Sequence, residues 1–177
     1  MTREIINRVA NSELITIDLS DYAPNVQIIE LDLKQFLFEG FVLKEKDFRA
    51  AIKEFDFSAY HNKVVAVFCS SDCIIPMWAF MLVTSSLTGV AAEIKAGNKD
   101  DVFQQLFLRN IETINALQFK DKKVIIKGCG KVPLSEALYI TVTRKLKNNL
   151  TSLMFGEACS AVPVYKKKKN EPKNFST

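Results

Sequence analysis

Histidine is nearly absent from this chain: His61 is the single copy in 177 residues. Serine and cysteine hydrolases normally need a histidine base beside the nucleophile. His61 precedes the apolar run at residues 64–68, so it is expected at the sheet edge opposite the residues that follow that run. Cysteine is scarce too, with four copies, and no two are spaced as CxxC, which argues against a zinc ribbon. No apolar stretch reaches the ~18 residues of a membrane span, and the longest, residues 73–83, lies mid-chain. The start, Met1-Thr2-Arg3-Glu4, leads into a mixed, charged segment without a signal peptide's apolar region. A cytoplasmic location is therefore expected, with the cysteines serving as buried thiols, metal ligands or reactive groups rather than a disulfide frame.

Glycine is sparse as well. Gly128-Cys129-Gly130 lacks the third glycine and the lysine of a phosphate-cradling loop, and it is expected to be a tight turn. A phosphatase-type loop would place arginine six positions after its cysteine, where Cys129 has Ser135 and Cys69 has Ile75.

The net charge of +4 is concentrated at one end. Lys166, Lys167, Lys168, Lys169 and Lys173 stand there against Glu171. Removing these leaves 19 basic and 19 acidic residues from totals of 24 and 20. A neutral body argues against dedicated nucleic-acid binding, which grows with each cation set against a phosphate. The sequence predicts one α/β domain over residues 1–165 and a lysine-rich disordered tail over 166–177.

The body alternates strand and helix patterns. Residues 64–68 form a short apolar run suited to a strand buried on both faces. Pro76 opens a helix over 77–87, and Thr88-Gly89 ends it. Strands are expected at 90–94, 124–126 and 152–155, with helices after Asn98 and over 135–146. Such alternation indicates a layered, mostly parallel sheet with helical crossovers. Strands at 14–19 and 26–33, around the turn at 21–25, are expected to extend or cover one edge. Phe48, Ile52 and Phe55 mark a further helix. No internal sequence repeat is visible.

In an open parallel sheet, ligands bind beyond the carboxyl ends of the strands. Cys69 follows the strand at 64–68, Cys129 the one at 124–126, and Cys159 the one at 152–155. If these strands are neighbours, the three thiols converge at one rim. Thiolates favour zinc, iron–sulfur clusters and copper(I), and a tetrahedral zinc needs four donors or three and water. Cys73, Asp72 and Glu157 are candidates for the fourth place. The plainer alternative is that cysteine packs as a small apolar core group. A reactive thiol is the third alternative: Lys127 and Lys131 flank Cys129 and would lower its pKa, as sulfur transfer at Cys129 or Cys159 requires. Asp72 and Glu157 also form a candidate acid/base pair. Met77, Trp78, Phe80 and Met81 decorate the helix after Pro76 and are read as core or as a homodimer contact.

The segments Val67-Phe68-Cys69-Ser70-Ser71-Asp72, Lys127-Gly128-Cys129 and Ser152-Leu153-Met154-Phe155-Gly156-Glu157-Ala158-Cys159-Ser160 together resemble a bacterial family, domain of unknown function 2480. The similarity runs from Ile5-Ile6-Asn7-Arg8-Val9-Ala10 to about Tyr165. The resemblance implies cysteines at Cys69, Cys129 and Cys159, with Cys73 peculiar to this chain. It thereby favours Asp72 or Glu157 as a fourth donor. It also implies genes encoded near iron–sulfur cluster assembly machinery, whose proteins become candidate partners. The leading expectation is an accessory factor in metal or iron–sulfur handling, against a metal-free binding or scaffold domain and a thiol-based sulfur transferase.

Overall fold

The computed structural model describes residues 14–128, 130 and 132–168. Cys129 and Lys131 lie outside the described residues, as do the ends of the chain, including the expected tail beyond Lys168.

The strands are β1 (Leu14–Asp18), β2 (Ile28–Asp32), β3 (Val64–Phe68), β4 (Glu93–Ala96), β5 (Lys123–Lys127), β6 (Ser152–Phe155) and β7 (Val162–Lys166). The helices are α1 (Glu45–Glu54), α2 (Met77–Leu87), α3 (Lys99–Glu112) and α4 (Glu136–Leu146). The α/β class and the mostly parallel pairing are as expected, but the strands form two sheets rather than one. One sheet has the order β1-β5-β6-β7 and the other β2-β3-β4. The reason is local saturation: β3 pairs on one side with β2 and on the other with β4, while β5 is flanked by β1 and β6. Neither central strand has an edge left for the other. Residues 14–18 and 28–32 therefore flank their turn without pairing, each extending a different sheet.

The chain divides into two compact units in a nested order. One is residues Pro24–Leu106, and the other is formed by the chain through Ala23 and from Phe107 onward. Within them the same plan is used twice. Counterpart elements are displaced by 59 positions: β3 and β5 (123 less 64), α2 and α4 (136 less 77), β4 and β6 (152 less 93). Hydrogen bonds repeat with the same displacement. Gly97 N–H donates to Val67 O at 3.0 Å as Gly156 N–H does to Ile126 O at 3.0 Å. Ala92 N–H reaches Lys63 O, and Thr151 N–H reaches Lys122 O, both at 2.9 Å. Asn62 and Asp121, two residues before their strands, both have φ of 57°. Leaving each unit's last parallel strand, Gly97 (φ 118°) and Gly156 (φ 107°) adopt conformations that L side chains rarely take. Matched buried sites hold apolar residues of different size, as at Ala66 and Ile125 or Ala79 and Leu138, which hides the repeat in the sequence.

The buried core follows the plan. Val65, Val67, Val83 and Leu87 lie inside the Pro24–Leu106 unit, where Phe48 packs edge-on against Phe36 and Trp78 with ring centroids 5.9 and 5.8 Å apart. In the other unit Val124, Leu138, Val142 and Leu146 are fully buried. Two expectations are corrected. β4 begins at Glu93 rather than at residue 90, because the N–H groups of Val90 and Ala91 are spent on Leu87 O, closing the end of α2. β7 was missed: Pro163 and the lysines disguise an antiparallel strand on β6, and Lys167 N–H extends the pairing to Thr151 O at 2.9 Å.

Leu87→Ala and Leu146→Ala, matched positions with no exposed surface, are expected to cost about 2–5 kcal/mol each in urea unfolding. Met81→Ala, at a site 71% exposed, should change stability by less than ~0.5 kcal/mol.

Candidate functional site at the carboxyl rim of β2 and β3

Because β2, β3 and β4 run parallel, their carboxyl ends share one rim. Asp32 ends β2 opposite Phe68, the last residue of β3. Its carboxylate Oδ1 accepts from Lys34 N–H at 3.0 Å, capping a short 3-10 turn over Leu33–Phe36. The same carboxylate reaches across to the loop leaving β3. Ser70 N–H donates to Oδ1 at 3.0 Å and Ser70 Oγ to Oδ2 at 2.5 Å. Ser71 Oγ donates to Gly40 O at 2.6 Å, and Cys73 N–H to Ser71 O at 2.9 Å. The β3–α2 loop is thus pinned at several points between its two cysteines.

The pinned loop sets Cys69 Sγ and Cys73 Sγ 4.0 Å apart. Both thiols are half-buried, packed against the unit's core while keeping a path to solvent. Burial pushes the Cys69 thiol above its ordinary pKa; the adjoining Cys73 thiol and the Asp32 charge add to the rise, and a backbone hydrogen bond from Ser71 opposes it. Partial burial also acts to raise Asp32, but the hydrogen bonds from Ser70 and Lys34 outweigh it and hold the carboxyl below its usual range.

Of the other sequence candidates, Asp72 lies on this same loop, between the two cysteines. Cys159 follows β6, in the other unit, and is exposed, with its sulfur 4.0 Å from Ser160 Oγ. Glu157 pairs with Lys127 at 3.8 Å, and the same ammonium lies 3.8 Å from Asp18. Asp72 is exposed. Cys129 lies outside the described residues, but its strand, β5, is in the sheet of β6 and not that of β3. His61 precedes β3 while Cys69 follows it, so the two occupy opposite ends of that strand, and His61 Nε2 lies 3.0 Å from Asn62 Nδ2. Among the described residues, no group of three or more His, Cys, Asp or Glu side chains is placed to hold a metal ion. A Cβ at Gly128 would meet the ends of the Leu134 and Tyr139 side chains, which would have to shift to admit it.

A family model described as "Protein of unknown function (DUF2480)" matches residues 3–167. The chain belongs to that family. No curated protein and no solved structure matches it. The DUF2480 match spans both units.

Sequence reasoning passed over Asp32 and Ser70 and set Cys73 aside. The signal for Asp32 was available in Ile17-Asp18-Leu19 and Leu31-Asp32-Leu33: each aspartate ends a strand and caps a 3-10 turn, Asp18 accepting from Ser20 N–H and Asp32 from Lys34 N–H, both at 3.0 Å. The pattern also predicts where grooves fall. An apolar cavity of about 420 Å³ in one unit is lined by Val67, Phe80, Thr84, Ile94, Lys95 and neighbours. The counterpart positions Ile126, Tyr139, Thr143, Leu153 and Met154 line one of about 610 Å³ in the other.

Asp32→Ala is expected to destabilise the protein by about 1 kcal/mol, through loss of a partly solvated cap and loop anchor. Because Asp32 has its carboxyl pKa lowered by folding, its contribution is present above the unfolded value of about 3.9 and fades as pH falls through the folded value. Urea unfolding of Asp32→Asn across that acid range should show a shallower loss of stability than the parent chain.

Proposed function

We propose that the protein handles a thiophilic metal ion of the copper(I) class, with Cys69 and Cys73 as its donor pair. The observation that supports this is the 4.0 Å separation of the two sulfurs on a loop pinned by Asp32. A closed zinc site takes four donors, and a cluster four thiolates. Thiolate ligands select copper(I) among the soft metals, and two of them are what this loop offers. Binding displaces the thiol protons, so affinity rises with pH, all the more because burial holds Cys69 neutral. The same burial disfavours Cys69 as an activated nucleophile for sulfur transfer.

The wider set that the family resemblance implied, Cys69, Cys129 and Cys159 with Asp72 or Glu157, is the competing proposal for zinc or an iron–sulfur cluster, with cluster-assembly proteins as its partners. A metal-free binding domain is the second reading, and the matched apolar grooves favour it.

Anaerobic titration of the full chain with copper(I) against a chromogenic chelator separates these. One ion should bind per chain, tightening as pH rises. Cys69→Ser and Cys73→Ser should each weaken it roughly 100-fold or more, with Cys159→Ser near neutral. Equal affinity in all four proteins would overturn the assignment. Iron and visible absorption that depend on Cys159 would transfer it to the wider set.

A further inference from the structure

We propose that Cys69 and Cys73 are also a reversible oxidation site, closing to an intramolecular disulfide by exchange with a low-molecular-weight disulfide. A protein disulfide requires sulfurs about 2.05 Å apart. The pair starts at 4.0 Å, so closure needs an approach of about 2 Å. The cysteines sit between β3 and α2, in a stretch with neither helix nor strand hydrogen bonding to break. Asp32 holds Ser70 and Gly40 O holds Ser71, so the backbone between the cysteines is anchored, and the proposed closure comes from rotation of the two side chains. Both sulfurs are half-buried, close enough to solvent for a small disulfide to reach them.

The chemistry balances as two successive displacements. One protein thiolate attacks the small disulfide, forming a mixed disulfide and releasing one small thiolate. The second protein thiolate attacks the protein sulfur of that bond, forming the Cys69–Cys73 bond and releasing the other small thiolate. Two protein thiols are oxidised by two electrons, and the small disulfide is reduced to two thiols that take up the two protons. Disulfide formation does not require the metal role. The consequence, that oxidation removes both donors and switches metal uptake off, rests on that proposal.

The test uses the full chain, stripped of metal and incubated with excess oxidised glutathione, then alkylated and cut with trypsin. Cys69 and Cys73 lie together on the tryptic peptide of residues 64–95. That peptide should lose about 2 Da and resist alkylation within hours, and dithiothreitol should restore both thiols. Cys159→Ser should behave like the parent, whereas Cys69→Ser should leave Cys73 as a mixed disulfide with glutathione. Two alkylatable thiols on this peptide, persistent mixed disulfides at both positions, or links only to Cys129 or Cys159 would overturn the proposal. Copper(I) affinity of the oxidised chain should fall roughly 100-fold or more and return on reduction. Should the bond form while the reduced chain ignores copper(I), the metal proposal fails and the oxidation site stands.

Discussion

The site depends on one carboxylate. Asp32 ends its strand and caps the turn that follows it, and it also anchors the loop leaving the neighbouring strand. These roles are compatible because parallel pairing puts the ends of β2 and β3 at one rim in a fixed register, Asp32 opposite Phe68. A charged acceptor with several short donors makes stronger hydrogen bonds than neutral partners do. The loop is held by these hydrogen bonds at its serines and by Ile75, Cys69 and Cys73 packed on the core beneath it. The cysteine sulfurs inherit their spacing from that anchorage.

The other unit shows what the same frame does with different side chains. Asp18 again ends a strand and caps a 3-10 turn, but the facing position is Lys127 rather than Phe68, and an ion pair at 3.8 Å stands where the first unit has serine hydrogen bonds. Glu157 approaches the same lysine from beyond β6. The pairs β3/β5, α2/α4 and β4/β6 keep their lengths, whereas the side chains that face Asp18 and Asp32 differ in kind. Backbone geometry is the conserved quantity between the two units, and side-chain chemistry is the variable one.

The fold class was legible because it rests on local signals. The run at residues 64–68, Pro76 at the head of α2 and the segment 152–155 are seen in the structure with the bounds their patterns suggested. The division into two sheets was not legible, since periodicity reports that a strand is buried on both faces without naming its neighbours. β7 was hidden by Pro163 and its lysines. Of the site, Cys69 was legible from its place after a strand, but its partners were not. Cys73 was discounted on the family resemblance, and Asp32 sits 37 positions earlier (69 less 32), too far for any spacing rule to join them.

The nested chain order carries a consequence for how the protein is made. Residues Pro24–Leu106 are contiguous, so every strand of their sheet is available once the ribosome has passed β4. β1 emerges before that unit, yet its partner β5 begins only at Lys123. An early strand must therefore wait through the synthesis of an entire intervening unit, and the slowest event in maturation is expected to be this long-range closure. The half that carries the thiol pair can be finished while the half that encloses it in sequence is still incomplete.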